Sequence, residues 1–555
     1  MSGSGGILNL IAQGANNVFL TGNPTTTFFK TTYKKHTDFG RQKFRIDYDG
    51  LRNLRLTEPS VFRFKFPRNA ELLMDTYLVI TLPDIWSPIY HPCEQTNNKW
   101  SSYDYRWIQD IGLQMISEIE LTCGSATLQR YSGAYLSAMI QRDFSAVKKD
   151  LYNKMSGNVV ELTDPANAFS RANCYPSAYF TTNVNGAEPS IRGRTLYIPI
   201  NTWFTLNANC AFPLIALQYN ELYLNITIRP IQELFQVRDI FDVANNNPYI
   251  QPDFNQQQFQ MYRYLQTPPN VIIDPEYYEN TTTNWNADVH LISTYCFLSK
   301  EEAKKFAKED QVYLIKDVFT YLYENIGGTN KVELTSNGMI TNWMFFFQRN
   351  DANLRNEWSN YTNWPYSNLP SDIEPAPQTD LNSPFSNANQ TNLGPLIDIN
   401  GDNTGYFITG NFNSDNVKNI LQTLGIVFDG SYRENTQTRG VYDYLEKYTT
   451  TPGSAVEGLY CYNFCLDTSP FKYQPSGAIN LNKFRTIEFE FSTYLPAVDT
   501  TNSQFSIICD SSGNPVGIAK NTWRLFNYNF NLTIFEERYN VLSFLSGNAG
   551  LLYAR

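Results

Sequence analysis

The sequence predicts an all-β protein of two successive β-sandwich domains, with long loops and a few short helices. Three observations predict it. Strand-like alternation recurs in both halves, 15% of the residues are aromatic, led by 37 Tyr and 37 Phe, and a polar stretch near the middle separates two strand-rich regions. Aromatic side chains favour strands because a large ring sits well on a pleated, half-buried surface. At 555 residues the chain is too long for one ordinary core. With 42% hydrophobic and only 17% charged residues it reads as globular.

Taken in order, the clearest strands show period-two patterns, which a sheet with one buried face requires. In 61–66, Phe62, Phe64 and Phe66 point one way and Arg63 and Lys65 the other. A helix is predicted over about 131–150. Leu222, Leu224, Ile226 and Ile228 alternate with polar neighbours. A second helix is predicted over 299–310, where Ser299 can cap, Glu301 and Glu302 suit the first turn, and Phe306 supplies an apolar anchor. Trp343 to Phe347 is continuously apolar, as in a short strand covered on both faces. Ile487, Phe489 and Phe491 alternate with Glu488 and Glu490, and Phe530, Leu532 and Ile534 with Asn529, Asn531 and Thr533.

Two long polar stretches, 236–285 and 350–405, interrupt these strands, and loops of that length inside a domain are usually functional or interfacial. The division predicted is an arm at 1–24, a first sandwich at 25–235, a linker or insertion at 236–285, a second sandwich at 286–540 and a tail at 541–555. A faint internal echo, Asn225-Ile226-Thr227-Ile228 against Asn531-Leu532-Thr533-Ile534, suggests that the two sandwiches are related.

A net charge of -10 argues against a phosphate-binding surface and hence against direct contact with nucleic acid. Lys30, Lys34, Lys35, Arg41, Lys43 and Arg45 nevertheless fall close together with only Asp38 to offset them. They form either a solvated strand face or a surface for an acidic partner or an anionic membrane. No Lys or Arg precedes Lys30, Ser2 rules out myristoylation, and no run of eighteen apolar residues occurs, so cytoplasmic synthesis is expected. The eight cysteines include no C-x-x-C pair, which suits a reducing compartment. Cys461 and Cys465, four apart in a strand, would lie roughly 13 Å apart, too far for one disulfide or one zinc ion, and read as buried thiols.

Catalytic patterns are missing from the sequence. His36, His91 and His290 are scattered, and no H-E-x-x-H, G-x-S-x-G or P-loop occurs. The one enzymatic alternative is a β-sandwich glycoside hydrolase, for which Glu488 and Glu490 could pair across a sugar cleft and Trp358 and Trp364 could stack on sugars. The plain readings are a solvated sheet face and packing aromatics. Sequons at Asn225, Asn280, Asn360, Asn389 and Asn531 read as chance matches. The sequence therefore nominates no catalytic, cofactor-binding or metal-binding residue.

Several segments carry a resemblance. Near the start stand Gln13 to Pro24, then Phe28-Phe29-Lys30 and Tyr33 to Phe39; Ile116 to Leu121 precedes Gly124. The most specific is Phe212-Pro213-Leu214-Ile215-Ala216-Leu217-Gln218-Tyr219-Asn220-Glu221. Further on come Leu298 to Ala307, Tyr313-Leu314-Ile315, Gln474-Pro475-Ser476-Gly477, Tyr539-Asn540-Val541-Leu542, Ser546-Gly547, and Gly550-Leu551 with Tyr553. In this order the chain resembles the major capsid proteins of nucleocytoplasmic large DNA viruses, the group of phycodnaviruses, iridoviruses and mimiviruses. The resemblance implies a double jelly roll, two consecutive eight-stranded sandwiches, with no enzymatic activity and no cofactor. It also implies a homotrimer of hexagonal outline that tiles an icosahedral shell beside neighbouring capsomers, minor capsid and penton proteins, and the internal viral membrane. The chain would then reside in the virion, assembled in host cytoplasm, with the 350–405 loop extending outward and the N-terminal arm reaching under the shell toward minor capsid proteins. A minor capsid protein and a viral spike are the non-enzymatic alternatives.

Overall fold

The computed structural model describes residues 4–553, apart from 51–52, 97, 99, 172, 243–246, 368–392, 398–402, 410–416, 497–504, 510–512 and 521–526. Sixteen of the described strands build two sandwiches. The first contains β1 (Phe39–Asp47), β2 (Ser60–Lys65), β3 (Leu72–Leu82), β4 (Ile116–Cys123), β5 (Ala126–Tyr131), β6 (Arg194–Pro199), β7 (Leu222–Ile228) and β8 (His290–Leu298). Its two sheets run β1-β8-β3-β6 and β2-β7-β4-β5. The second contains β9 (Gln311–Ile326), β10 (Thr329–Glu333), β11 (Met339–Arg349), β12 (Leu421–Phe428), β13 (Ser431–Thr438), β14 (Leu459–Asn463), β15 (Ile487–Thr493) and β16 (Phe530–Leu545). Its sheets run β9-β16-β11-β14 and β10-β15-β12-β13. All four sheets therefore share one topology: by chain order their strands lie first, fourth, second, third. This is the expected double jelly roll of two eight-stranded sandwiches, and its sheets are antiparallel and open.

The alternating segments form strands with one face in the core. In β2, β7 and β15 every second residue is buried, from Phe62 and Phe64 to Ile226, Phe489 and Phe491. The echoed tetrapeptides occupy inner strands of the two sandwiches but not equivalent ones, since β7 is the seventh strand of the first and β16 the eighth of the second. Asn225–Ile228 lies in β7 between β2 and β4, and Asn531–Ile534 lies in β16 between β9 and β11.

The continuous apolar run in β11 has a specific explanation. Trp343, Phe345 and Phe347 fill the interior of the second sandwich, while Met344 and Phe346 belong to the cluster that continues into the first. β16 divides its side chains in the same way, with Leu532 and Ile534 inward and Phe535 toward the first sandwich. One sheet of the second jelly roll is thus covered on both faces.

Four helices matter: α1 (Ser4–Ile11), α2 (Gly133–Asp143), α3 (Ala146–Ser156) and α4 (Lys300–Lys308). α4 is the helix expected over 299–310, with the Ser299 hydroxyl accepting from the Glu302 N–H. The single helix expected over 131–150 is broken in two. Phe144 is extended and buried, and Ser145 begins a new turn as N-cap of α3.

Sheet membership also corrects the expected division. β8 lies beyond residue 286 yet pairs with β1 and β3, so the first sandwich reaches Leu298. Of the two readings of 236–285, linker or insertion, the described residues fit an insertion packed on the first sandwich. It buries Phe259, Met261 and Tyr264, and Trp285 Nε1 donates to the Thr81 carbonyl at 2.9 Å, which holds it against the first sandwich. The expected tail at 541–555 continues β16 and turns back as a paired strand, Asn548–Leu551. Of the expected outward loop, residues 350–367 fold back instead: Trp358 Nε1 donates to the Glu233 carbonyl at 3.0 Å, and Asn356 Nδ2 to the carbonyls of Gln232 and Phe235. Residues 368–392 of that loop lie outside the described residues, and a hairpin, Leu393–Ile397 with Asn403–Thr409, follows them.

Phe345 is fully buried in the second sandwich, within 5.6 Å of the Phe489 ring centroid. Phe345→Ala is expected to cost about 3–5 kcal/mol through lost burial and a residual cavity. Denaturant unfolding measures it, and a loss under about 1 kcal/mol would contradict the packing described.

Candidate functional site: the seam between the two sandwiches

For a chain with no catalytic pattern, the informative site is where the two sandwiches are locked together. Its first component is α2. The Ser132 hydroxyl accepts from the Tyr135 N–H at 3.2 Å and starts the helix. Only glycine fits next, because a Cβ at Gly133 would stand 2.0 Å from the Leu113 carbonyl oxygen. That close approach seats α2 under the first sandwich with its far end against the second.

The end of α2 carries Arg142 and Asp143, both buried with side chains no more than 1% exposed. Arg142 Nε and Nη2 donate to the two Asp143 carboxylate oxygens at 2.9 and 2.7 Å. Its Nη2 also reaches Glu537 Oε1 at 2.8 Å, and Nη1 donates to Asn342 Oδ1 at 2.8 Å. Glu537 is on β16 and Asn342 on β11, so one arginine of the first sandwich is held by two strands of the second.

The remaining acceptors are also filled. The Tyr135 hydroxyl donates to Glu537 Oε1 at 2.9 Å, Asn342 Nδ2 to Glu537 Oε2 at 2.9 Å, and the Thr468 hydroxyl to Asp143 Oδ1 at 2.7 Å. Lys316 of β9 adds a second positive charge 3.5 Å from Glu537. Burial pushes the Glu537 carboxyl up, but the Arg142 and Lys316 charges and the donated hydrogen bonds outweigh it and hold the group down at about 2. Burial raises Asp143 despite its own bond to Arg142.

Backbone contacts tighten the same seam. Gly453, in the second sandwich, donates its N–H to the Arg142 carbonyl at 3.0 Å, and a Cβ there would lie 2.3 Å from that oxygen. Gln129 Nε2 of β5 donates to the Lys316 carbonyl of β9 at 2.9 Å. Beside these bonds is a cavity of about 300 Å³, lined in part by Tyr131, Trp203, Leu314, Lys316, Pro475 and Glu537.

Several of the segments that carry the family resemblance meet here. Phe212 meets Phe544 at 5.1 Å, and Phe544 meets Tyr313 at 5.7 Å. Gln218 donates its N–H to the Gly547 carbonyl, and Asn220 bonds Asn548. Ser476 lines the cavity together with Tyr539.

Glu488, Glu490, Trp358 and Trp364 are placed elsewhere and are engaged structurally, whereas Cys461 and Cys465 lie beside the seam. Glu488 and Glu490 share Lys331 at 2.7 and 3.2 Å on an outer sheet face, and Tyr432 donates to Glu490. Trp358 receives the Arg229 guanidinium 4.1 Å over its ring, and Lys418 approaches Trp364. His36 is exposed and His290 buried. Cys461 and Cys465 are buried free thiols, and burial pushes the Cys461 thiol up to about 12. Among the described residues no group of three or more His, Cys, Asp or Glu side chains could hold a metal ion. Arg142 and Glu537 were missed from sequence. Their signal was the charged triplet Glu536-Glu537-Arg538 set inside the apolar pattern of β16.

Arg142→Ala is expected to destabilise the fold by about 3–5 kcal/mol, because it leaves a buried carboxylate without its partner. A carboxyl held near 2 in the fold against an ordinary 4.5 adds stability above pH 4.5 and loses it as the pH falls toward 2. Unfolding measured across that interval should therefore show a smaller pH dependence in Glu537→Gln than in the parent; equal slopes would refute the assignment.

Comparison with known proteins agrees with this architecture. A family model described as major capsid protein N-terminus matches residues 27–265, and one described as large eukaryotic DNA virus major capsid protein matches 302–550. A major capsid protein of Phaeocystis pouchetii virus is 25% identical, covering 99% of this chain and all of the relative. One of Chrysochromulina ericina virus is 30% identical over 60% of this chain and 55% of its own length. The solved Faustovirus major capsid protein shares the fold, with a TM-score of 0.59 at 12% identity, over 95% of this chain and 94% of that one. With both sandwiches matched in order, the chain belongs to the major capsid proteins of large eukaryotic DNA viruses, structural subunits rather than enzymes.

Proposed function

We propose that three copies of this chain form a capsomer of nearly hexagonal outline that tiles the facets of an icosahedral shell. The observation that carries the reading is the pair of topologically identical sandwiches fixed side by side by a buried seam. Three such pairs present six similar lobes around a threefold axis, so one polypeptide can fill hexagonal positions. An obligate trimer of this kind calls for an interface of more than about 2,000 Å², rich in apolar and aromatic groups. Exposed side chains such as Tyr444, Leu445 and Tyr448 supply that chemistry.

In this reading the partners are neighbouring capsomers, with minor capsid and penton proteins at the edges and vertices of the facets, and assembly takes place in host cytoplasm. The arm at 1–24 serves contacts beneath the shell rather than trimerisation, and nucleic acid is not bound directly.

Light scattering of the purified chain at several dilutions tests the central claim. A dilution-resistant trimer with a hexagonal outline in electron micrographs is the expected result; a monomer at every concentration would overturn it. Deleting residues 1–24 is expected to leave the trimer intact and weaken shell assembly, and loss of the trimer on deletion would refute that division of labour.

A further inference from the structure

The segment 4–43 has a surface that the seam and the sandwiches leave unused. On α1, Ile7, Leu8, Leu10 and Ile11 are each more than half exposed. Phe19 and Leu20 follow at about nine-tenths exposed, and Phe28 and Phe29 at 100% and 97%. An eight-residue helix is marginal in water by itself, so α1 needs a surface to lie on.

The cations come next along the chain. Lys30, Lys34 and Lys35 are exposed, and Arg41 and Lys43 are exposed on β1. The other face of β1 turns Phe44 onto the Tyr295 ring, at 5.2 Å. Among the described residues none of these five cations has an ion-pair partner, whereas Arg45, next on the same face, is held by Asp47 and Asp288. Asp38 is the one acid in the whole segment, in a chain of net charge -10.

The order of these features identifies the partner. Apolar residues lie farthest along the segment from the sandwich, an aromatic pair follows, then a basic collar, then the body. An anionic lipid surface is layered in the same order: acyl chains, the interface that aromatic rings favour, and negatively charged headgroups. We propose that residues 4–43 form a lipid-docking arm. α1 and Phe28-Phe29 enter the interface of a membrane bearing anionic headgroups, and Lys30, Lys34 and Lys35 lie against those headgroups. Apolar insertion and charge act together, since one weak signal alone gives only marginal attachment. The inference rests on the capsid reading only in placing that membrane on the inner side of the shell.

Flotation of the full chain with vesicles containing about one-third phosphatidylserine, at low and high salt, tests it, with light scattering of the same preparation. The chain is expected to float with these vesicles and far less with vesicles of phosphatidylcholine alone. K30Q/K34Q/K35Q should lower the partition roughly a hundredfold at low salt, at about fivefold per lysine. F28S/F29S should weaken it at any salt. A parent chain that does not float, or a triple variant that floats as well as the parent, overturns the proposal. So does an arm deletion that impairs shell assembly when the parent shows no flotation, which would assign the arm to a protein partner. Trimers that fail to float refute the docking alone, while monomers that float refute the trimer alone.

Discussion

The ion pair between Arg142 and Glu537 fixes how the two halves of the molecule sit. Placing both charges in the interior is costly, and attraction between them offsets that cost only when their other hydrogen-bonding positions are also filled. Here Asp143, Asn342, Tyr135 and Thr468 fill them. A partial slide of one sandwich along the other would leave several buried charges and amides without partners at once. The arrangement is accordingly defined to the scale of a hydrogen bond, although the sandwiches are separate units of sheet topology.

Around that pair, the second jelly roll gives up an outer surface. β11 and β16 send alternate residues into their own core and into the first sandwich, so the sheet they share is interior on both sides. Their counterparts in the first sandwich, β3 and β8, are likewise buried along most of their length, whereas β7 keeps one polar face, where Tyr223 stacks under Arg63. The echo between 225–228 and 531–534 joins strands at different positions, the seventh of the first sandwich and the eighth of the second, so it reflects the alternation that a core-facing strand imposes and not a shared place in the fold.

Strands with one wet face were legible in the sequence because burial imprints a period of two, as in 61–66, 222–228 and 487–491. The double-covered run at 343–347 was legible too, but its partners were not, since an apolar run does not say which residues face which core. The boundary near 286 was misjudged because β8 finds its partners, β1 and β3, more than two hundred residues back, and local pattern carries no record of that choice. In 236–285 a few buried rings outweigh a polar composition, so averaging over the stretch hid its anchors. The break at Phe144 escaped notice because the apolar spacing of α2 and α3 is continuous through it, and only the Ser145 cap marks the stop. Of the seam, the charged triplet in β16 was visible, whereas Arg142 as its partner depends on a contact across almost four hundred residues.

Gly453 adds a consequence of a mechanical kind. With no side chain, it lets the loop of the second sandwich rest directly on the Arg142 carbonyl in the last turn of α2, backbone against backbone. A load carried from one half to the other at this point meets stiff main chain first, with no side chain to give way.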